Sequence, residues 1–220
     1  MTSPLRTGSL SVAGNTSPLI GVLALQGDVR EHRAMLEELG AHVREVRLRA
    51  HLEGLNGIVI PGGESSVMDK LLRIFDLYDP LRRALSDGLP VFGTCAGLIM
   101  LATELEDAIA GQETLGVLDV TVRRNAFGSQ VDSYETDVVV SGVPGPPLRV
   151  AFIRAPLVTR VGPAVEVIAT LPEGEVVGVR DGSALGVAFH PEITGDDRLH
   201  RLFVETVRAA GFTVAALQTA

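Results

Sequence analysis

Tryptophan is absent from this 220-residue chain, and cysteine occurs once, at position 95. A single cysteine allows no internal disulfide and no cysteine-based zinc cluster, so Cys95 is either buried filler or a reactive thiol; a reducing, cytoplasmic setting suits both. Positive charge is in short supply: 19 Lys and Arg against 27 Asp and Glu leave a formal charge of −8. That balance repels a phosphate backbone, and no local basic cluster offsets it, so nucleic acid is not an expected partner. Long apolar runs are missing as well. Stretches such as Leu98 to Ala102 and Leu185 to Phe189 fall far short of the roughly 20 residues that span a bilayer, and no membrane association is expected. Residues 1–18 lack the apolar run of a signal peptide and, being rich in Ser, Thr, Gly and Pro, read as a flexible leader.

What is present is an aliphatic, glycine-rich composition, with 46% hydrophobic residues and 24 glycines. It fits a compact core with many tight turns. The length serves one sizeable core and is short for two, so residues 19–220 are expected to form a single domain. Ile20 to Leu25, His42 to Val46, Gly57 to Ile60 and Val91 to Gly93 read as strands. Between and after them, Val29 to Leu39, Ser66 to Phe75, Pro80 to Ser86 and Ala96 to Thr103 have helical spacing, with Val67, Leu71, Ile74 and Phe75 expected inward. This alternation points to an α/β fold on a parallel sheet. From Val117 the pattern changes to short Val-rich runs (Val117 to Val122, Thr136 to Val140, Val150 to Ile153, Val165 to Ala169, Val176 to Val179, Leu185 to Phe189), several expected to pair antiparallel. An amphipathic helix, Asp197 to Ala210, closes the chain with Leu199, Leu202, Phe203 and Val207 inward.

Three short segments carry chemistry. Gly93-Thr94-Cys95-Ala96-Gly97 has the G-x-nucleophile-x-G form of a nucleophile elbow, in which small neighbours let a strained strand-to-helix corner lift its side chain above the sheet. A side chain there feels the positive end of the helix dipole, which favours an anion, and the Ala96 amide is placed to hold a developing oxyanion. Phe189-His190-Pro191-Glu192 follows an apolar strand. Residues two apart in extended chain share a side, so Glu192 is expected to reach His190, fix its tautomer and support the imidazolium formed when Cys95 loses its proton. His32, His42, His51 and His200 are read as ordinary surface or core histidines. The loop Pro61-Gly62-Gly63-Glu64-Ser65-Ser66 lies where ligand sites of such sheets occur, and paired glycines let Gly63 turn an amide inward as a second oxyanion donor, with Ser65 or Ser66 capping the helix that follows.

In this order the segments PGGES, GTCAG and FHPE resemble the class I, triad-type glutamine amidotransferases. The resemblance implies a three-layer α/β fold with a mixed, largely parallel central sheet flanked by helices. It implies that Cys95 attacks the side-chain carbonyl of L-glutamine, with His190 as general base and acid, Glu192 as its orienter, and the Gly63 and Ala96 amides as oxyanion donors. Leu25-Gln26-Gly27-Asp28 with Glu31-His32, Arg124-Asn125-Ala126-Phe127-Gly128 and Phe152-Ile153-Arg154-Ala155-Pro156 are similar to segments of the glutaminase subunits of pyridoxal 5'-phosphate synthases, over about Ile20 to Phe212. That likeness implies a glutamine subsite of Gly63, Glu64, Ser65, Arg124, Ile153 and Arg154. It also implies a partner, a synthase subunit that receives the ammonia to build pyridoxal 5'-phosphate, which is a product and not a cofactor; no metal or prosthetic group is expected. Ser129-Gln130 departs from the Arg-Gln common in that subfamily. A stand-alone γ-glutamyl cysteine hydrolase and a non-catalytic regulatory subunit of the same fold are the alternatives.

Overall fold

Unbroken apolar runs in the first half of the chain become strands, and the helical spacings between them become helices. The computed structural model describes residues 17–124, 126 and 133–215. Residues 1–16 of the expected leader lie outside the described residues, as do Asn125, Phe127, Gly128, Ser129 and Gln130. In chain order, β1 (Leu19–Leu23), α1 (Val29–Glu38), β2 (His42–Val46), β3 (Gly57–Ile60), α2 (Ser65–Ile74), α3 (Tyr78–Ser86), β4 (Val91–Thr94) and α4 (Ala96–Leu101) form the alternating half. The strand-rich half comprises β5 (Ala102–Glu106), β6 (Leu118–Arg123), β7 (Tyr134–Val138), β8 (Leu148–Phe152), β9 (Leu157–Val161), β10 (Glu166–Thr170), β11 (Val176–Asp181) and β12 (Ala184–Val187); α5 (Pro191–Thr194) and α6 (Arg198–Ala210) follow.

The central sheet runs β2-β1-β3-β4-β12-β11-β9-β6-β5, with β10 on β11, and β7 and β8 pair separately. From β2 to β12 every pairing is parallel. Beyond it β12, β11, β9 and β6 pair antiparallel in turn, and β5 returns parallel to β6. The sheet is therefore mixed and flanked by helices, an α/β architecture. β3 and β4 are buried at every position, as strands covered on both faces must be, which explains why they read as continuous apolar runs and not as alternating ones. Phe92 on β4 is wholly buried and packs on Phe203 of α6, ring centroids 5.8 Å apart. β12 inserts beside β4 with Val187 opposite Thr94, while Ile60 of β3 lies opposite Gly93. The carboxyl ends of β3, β4 and β12 thus open side by side, and their three following segments meet above the sheet.

Three expectations about elements are corrected. The helix α2 has the expected period but a phase one residue away: Met68, Asp69 and Leu72 are buried with Ser65, whereas Val67, Ile74 and Phe75 are exposed. Polar anchors set this rotation, because Ser65 Oγ accepts from Gln112 Nε2 (3.1 Å) and Asp69 Oδ2 accepts from the Glu113 amide (3.3 Å). The segment from Ala96 does not stay helical to Thr103. At Ala102 the backbone turns extended (φ −63°, ψ 150°) and enters β5, a strand missed because its ATELE sequence is short, charged and mostly exposed. β9 shows no apolar run for a similar reason, its LVTRV sequence being buried only at Val158.

Candidate active site

The corner between β4 and α4 is tight because nothing larger than glycine fits beneath it. A Cβ on Gly93 would lie 2.7 Å from the Gly97 carbonyl carbon, and one on Gly97 would lie 2.0 Å from the Ile60 carbonyl oxygen. Cys95 at the apex takes φ 48° and ψ −103°, a left-handed conformation that costs a non-glycine residue about 1–3 kcal/mol and persists only where its surroundings enforce it. Here the Cys95 amide donates to the Val187 carbonyl of β12 (2.9 Å), and its own carbonyl accepts from Ile99 in the first turn of α4 (3.2 Å). The Cys95 thiol reaches toward the Ile153 carbonyl at 3.8 Å.

His190 is carried to the same place by the segment after β12 and pinned by its amide, which donates to Ala151 of β8 (2.8 Å). Its ring lines the same cavity as Cys95, and Nδ1 lies 2.7 Å from Glu192 Oε1 and 3.5 Å from Asp28 Oδ2. Since carboxylates accept only, Nδ1 carries a proton and Nε2 is the nitrogen left for the thiol. Glu192 does reach His190, but not by strand alternation: His190 is the N-cap of α5 and Glu192 stands in its first turn. Carboxylate oxygens of Asp28 and Glu192 and a ring nitrogen of His190 lie within 4.8 Å of one another, and both carboxylates address Nδ1.

Burial opposes a charge on His190, yet the neighbouring Asp28, Cys95 and Glu192 outweigh it, and its pKa is pushed up to about 12. The charged imidazolium is therefore the favoured form of the ring in this setting. Burial raises Glu192, opposed by its hydrogen bond with His190, whereas the His190 hydrogen bond holds Asp28 below the usual carboxylate range.

The loop after β3 forms the third wall. A Cβ on Gly62 would stand 2.3 Å from His190 Cε1, so only glycine admits the imidazole, and Gly63 adopts φ 137°. Gln26 clasps the loop, its Oε1 accepting from the Glu64 amide (3.1 Å). Neither serine caps α2. Glu64 is the N-cap, accepting from the amide and hydroxyl of Ser66 (3.2 and 3.0 Å), and it also takes Arg124 Nη2 at 2.8 Å. Arg124 Nη1 donates to Gln112 Oε1 (3.0 Å).

A cavity of about 200 Å³ gathers most of the expected residues: Cys95, His190, Gly63, Glu64, Ser65, Arg124, Ile153 and Arg154 line it. Ala96 and Glu192 do not. Ala96 lies wholly buried in α4, and Glu192 stands behind His190, 4% exposed. Asp28, Ile99 and Ile193 are wall residues that sequence reasoning did not select; Asp28 had a signal in its place beside Gln26 and Gly27. A larger cleft, about 940 Å³, lies between α3 and the segment around Phe212 and Val214, and includes neither Cys95 nor any histidine.

Two further histidines, ordinary by sequence, both lie wholly buried behind the site. His32 Nδ1 is 2.8 Å from His200 Nε2. Burial lowers both, His32 well below the usual range and His200 to about 4. A depressed folded-state pKa means the unfolded chain binds a proton that the folded one releases. His200 thus costs no stability above its ordinary 6.5, and a penalty grows as the pH falls toward 4, amounting to about 3 kcal/mol. Urea unfolding of the protein and of His200→Phe across that window should give a flatter pH dependence for the variant. Parallel curves would show that His200 is not buried neutral.

A sequence profile of the SNO glutamine amidotransferase family matches residues 22–209. A Clavibacter sepedonicus protein described as pyridoxal 5'-phosphate synthase subunit PdxT is 58% identical over 207 residues, covering 94% of this chain and 99% of its own. A protein of the same description from Cutibacterium acnes is 57% identical over 197 residues, with 87% and 98% covered. Among solved structures, one titled as a glutamine amidotransferase superposes with a TM-score of 0.80 at 48% identity, covering 86% of this chain and 98% of the other. A chain of PurLQS from Thermotoga maritima shares the fold at 18% identity, with a TM-score of 0.64 and 90% and 100% covered.

Proposed function

The chain belongs to the SNO glutamine amidotransferase family, and we propose that it hydrolyses L-glutamine to L-glutamate and ammonia and delivers the ammonia to a synthase subunit that makes pyridoxal 5'-phosphate. The observation that carries this reading is a single cysteine on a strained corner, sharing a cavity with a histidine whose Nδ1 is held by a buried carboxylate and with two arginines.

Cys95 passes its thiol proton to His190 Nε2, and the thiolate attacks the side-chain carbonyl carbon of glutamine. The amides of Gly63 and Ala96 receive the oxyanion. As the tetrahedral species collapses, the C–N bond breaks, His190 returns its proton to the leaving nitrogen, and ammonia departs from a thioester on Cys95. Water, giving a proton to His190, then attacks the thioester carbonyl, and glutamate and the thiol are restored. Glu192 keeps Nδ1 protonated throughout and offsets the charge on the ring. Gly63, Glu64, Ser65, Arg124, Ile153 and Arg154 form the glutamine subsite, where a guanidinium fork matches the α-carboxylate in two bonds. Arg124 already spends one arm on Glu64 and the other on Gln112, so Arg154, on the exposed side of the cavity wall, is the arginine better placed to meet an incoming carboxylate.

Curated relatives are named as synthase subunits, which supports a partner of that kind here. Among the described residues no helix is long and apolar enough to cross a membrane. The test mixes the protein with a pentose phosphate, a triose phosphate and a synthase subunit. Glutamine should replace ammonia in pyridoxal 5'-phosphate formation. Hydrolysis of glutamine with no product unless ammonia is added would overturn the partner and leave the glutaminase.

A further inference from the structure

Behind Glu192 runs a buried polar chain that the reaction above does not use. His32, on α1 and wholly buried, has Nε2 3.1 Å from Thr94 Oγ1 and 3.6 Å from Glu192 Oε1, and Nδ1 2.8 Å from His200 Nε2 on α6. Thr94 is the residue immediately before Cys95. His32 therefore touches both arms of the site, the strand that carries the nucleophile and the carboxylate that orients the base.

Each imidazole, being neutral, has one donor and one acceptor, so the chain has two possible registers. In one, His32 Nδ1 donates to His200. His200 must then carry its proton on Nδ1, an atom that is buried and has no partner among the described residues, and the bare Nε2 lone pair of His32 must face the carboxylate oxygen of Glu192. In the other, His200 Nε2–H donates to His32 Nδ1, and His32 Nε2–H points at Thr94 Oγ1 and Glu192 Oε1, leaving only a lone pair unpartnered on His200. A buried N–H without an acceptor, with a lone pair opposed to an anion, costs more than one idle lone pair. The second register prevails. At 3.6 Å the approach of His32 to Glu192 is a charge–dipole contact, while the 3.1 Å contact with Thr94 is a hydrogen bond.

Resting on the glutaminase reading, we propose that His32 is a positioning residue: fixed by His200, its Nε2–H holds the Glu192 carboxylate and Thr94 in register, so that His190 is presented to Cys95. It touches neither substrate nor the reacting atoms. Its contribution falls on kcat, because the alignment of base and nucleophile matters most in the attack.

Glutamine hydrolysis, with the synthase subunit present, tests this in His32→Phe and His32→Gln. Phenylalanine keeps a ring of similar shape but removes both nitrogens; glutamine restores an N–H donor near the position of Nε2. Groups that orient metal-ligating histidines are worth about 10- to 100-fold in activity, and a group that orients a catalytic histidine is expected to fall in the same range. His32→Phe should lose that much kcat with KM little changed, and His32→Gln should regain most of it. Wild-type kcat in His32→Phe overturns the proposal, as does equal loss in both variants in proportion to lost folded protein, which would mark His32 as packing alone. If His32→Phe does not fold, His200→Phe decides, since it removes the donor that sets the His32 tautomer; unchanged kcat there is equally fatal. Wild-type protein without glutaminase activity would overturn the reading of the site itself, a result distinct from all of these.

Discussion

Cys95→Ala should bring glutamine hydrolysis down to the assay floor, a loss on the order of 10⁴- to 10⁶-fold by comparison with other nucleophile deletions. No second thiol exists to substitute for it, and without the thioester His190 has no proton to shuttle. Alanine deletes one sulfur from a site that is 6% exposed and leaves the corner's backbone contacts, to Val187 and Ile99, intact, so folding and synthase binding should survive. Glu192→Gln is the informative companion. The amide still meets Nδ1 but no longer offsets a charged ring, and the expected loss is smaller, about 10²- to 10⁴-fold. Ammonia release by Cys95→Ala above background, with the variant folded, would sink the assignment of the nucleophile.

Gly97→Ala should lower stability strongly. In an unstrained helix this change stabilises, since alanine has the better propensity by about 1 kcal/mol. Here the added methyl carbon would sit 2.0 Å from the Ile60 carbonyl oxygen and 2.9 Å from its carbon, both backbone atoms of the buried strand β3. Backbone in a central strand cannot swing aside as a long side chain can, so α4 must lift off β3. Overpacking of this sort costs about 1–3 kcal/mol, which at this chain length lowers Tm by roughly 2–12 °C. Because Cys95 immediately precedes α4, activity should fall even in the fraction that folds. Thermal unfolding decides by sign: a Tm equal to or above that of the unsubstituted protein would mean that α4 does not rest on β3 as described.

Much of this was legible because it is local. β1, β3 and β4 announce themselves as short apolar runs, since a strand covered on both faces has no polar side to show. The corner at Cys95 is written in five consecutive residues, and His190 and Glu192 stand two apart. Where relations are non-local, the pattern fell silent. The phase of α2 depends on Gln112 and Glu113, far along the chain, and nothing within Ser65–Ile74 encodes that Ser65 and Asp69 face inward while Ile74 does not. His32 and His200 are 168 residues apart and look unremarkable alone; their meaning is their meeting. Even Glu192, whose spacing from His190 reads as extended chain, is delivered by a helical turn.

The hydrogen bond from the Cys95 amide to Val187 also sets an order of events during synthesis. The strained corner and its base both depend on β12, which is translated long after β4, pairs locally with β11 as a hairpin and meets β4 only by a non-local pairing. A growing chain that already exposes Cys95 has neither the carbonyl that enforces its left-handed turn nor the histidine that takes its proton. The thiol remains an unremarkable one until the fold is nearly complete, and reactivity arrives together with the cavity that confines it.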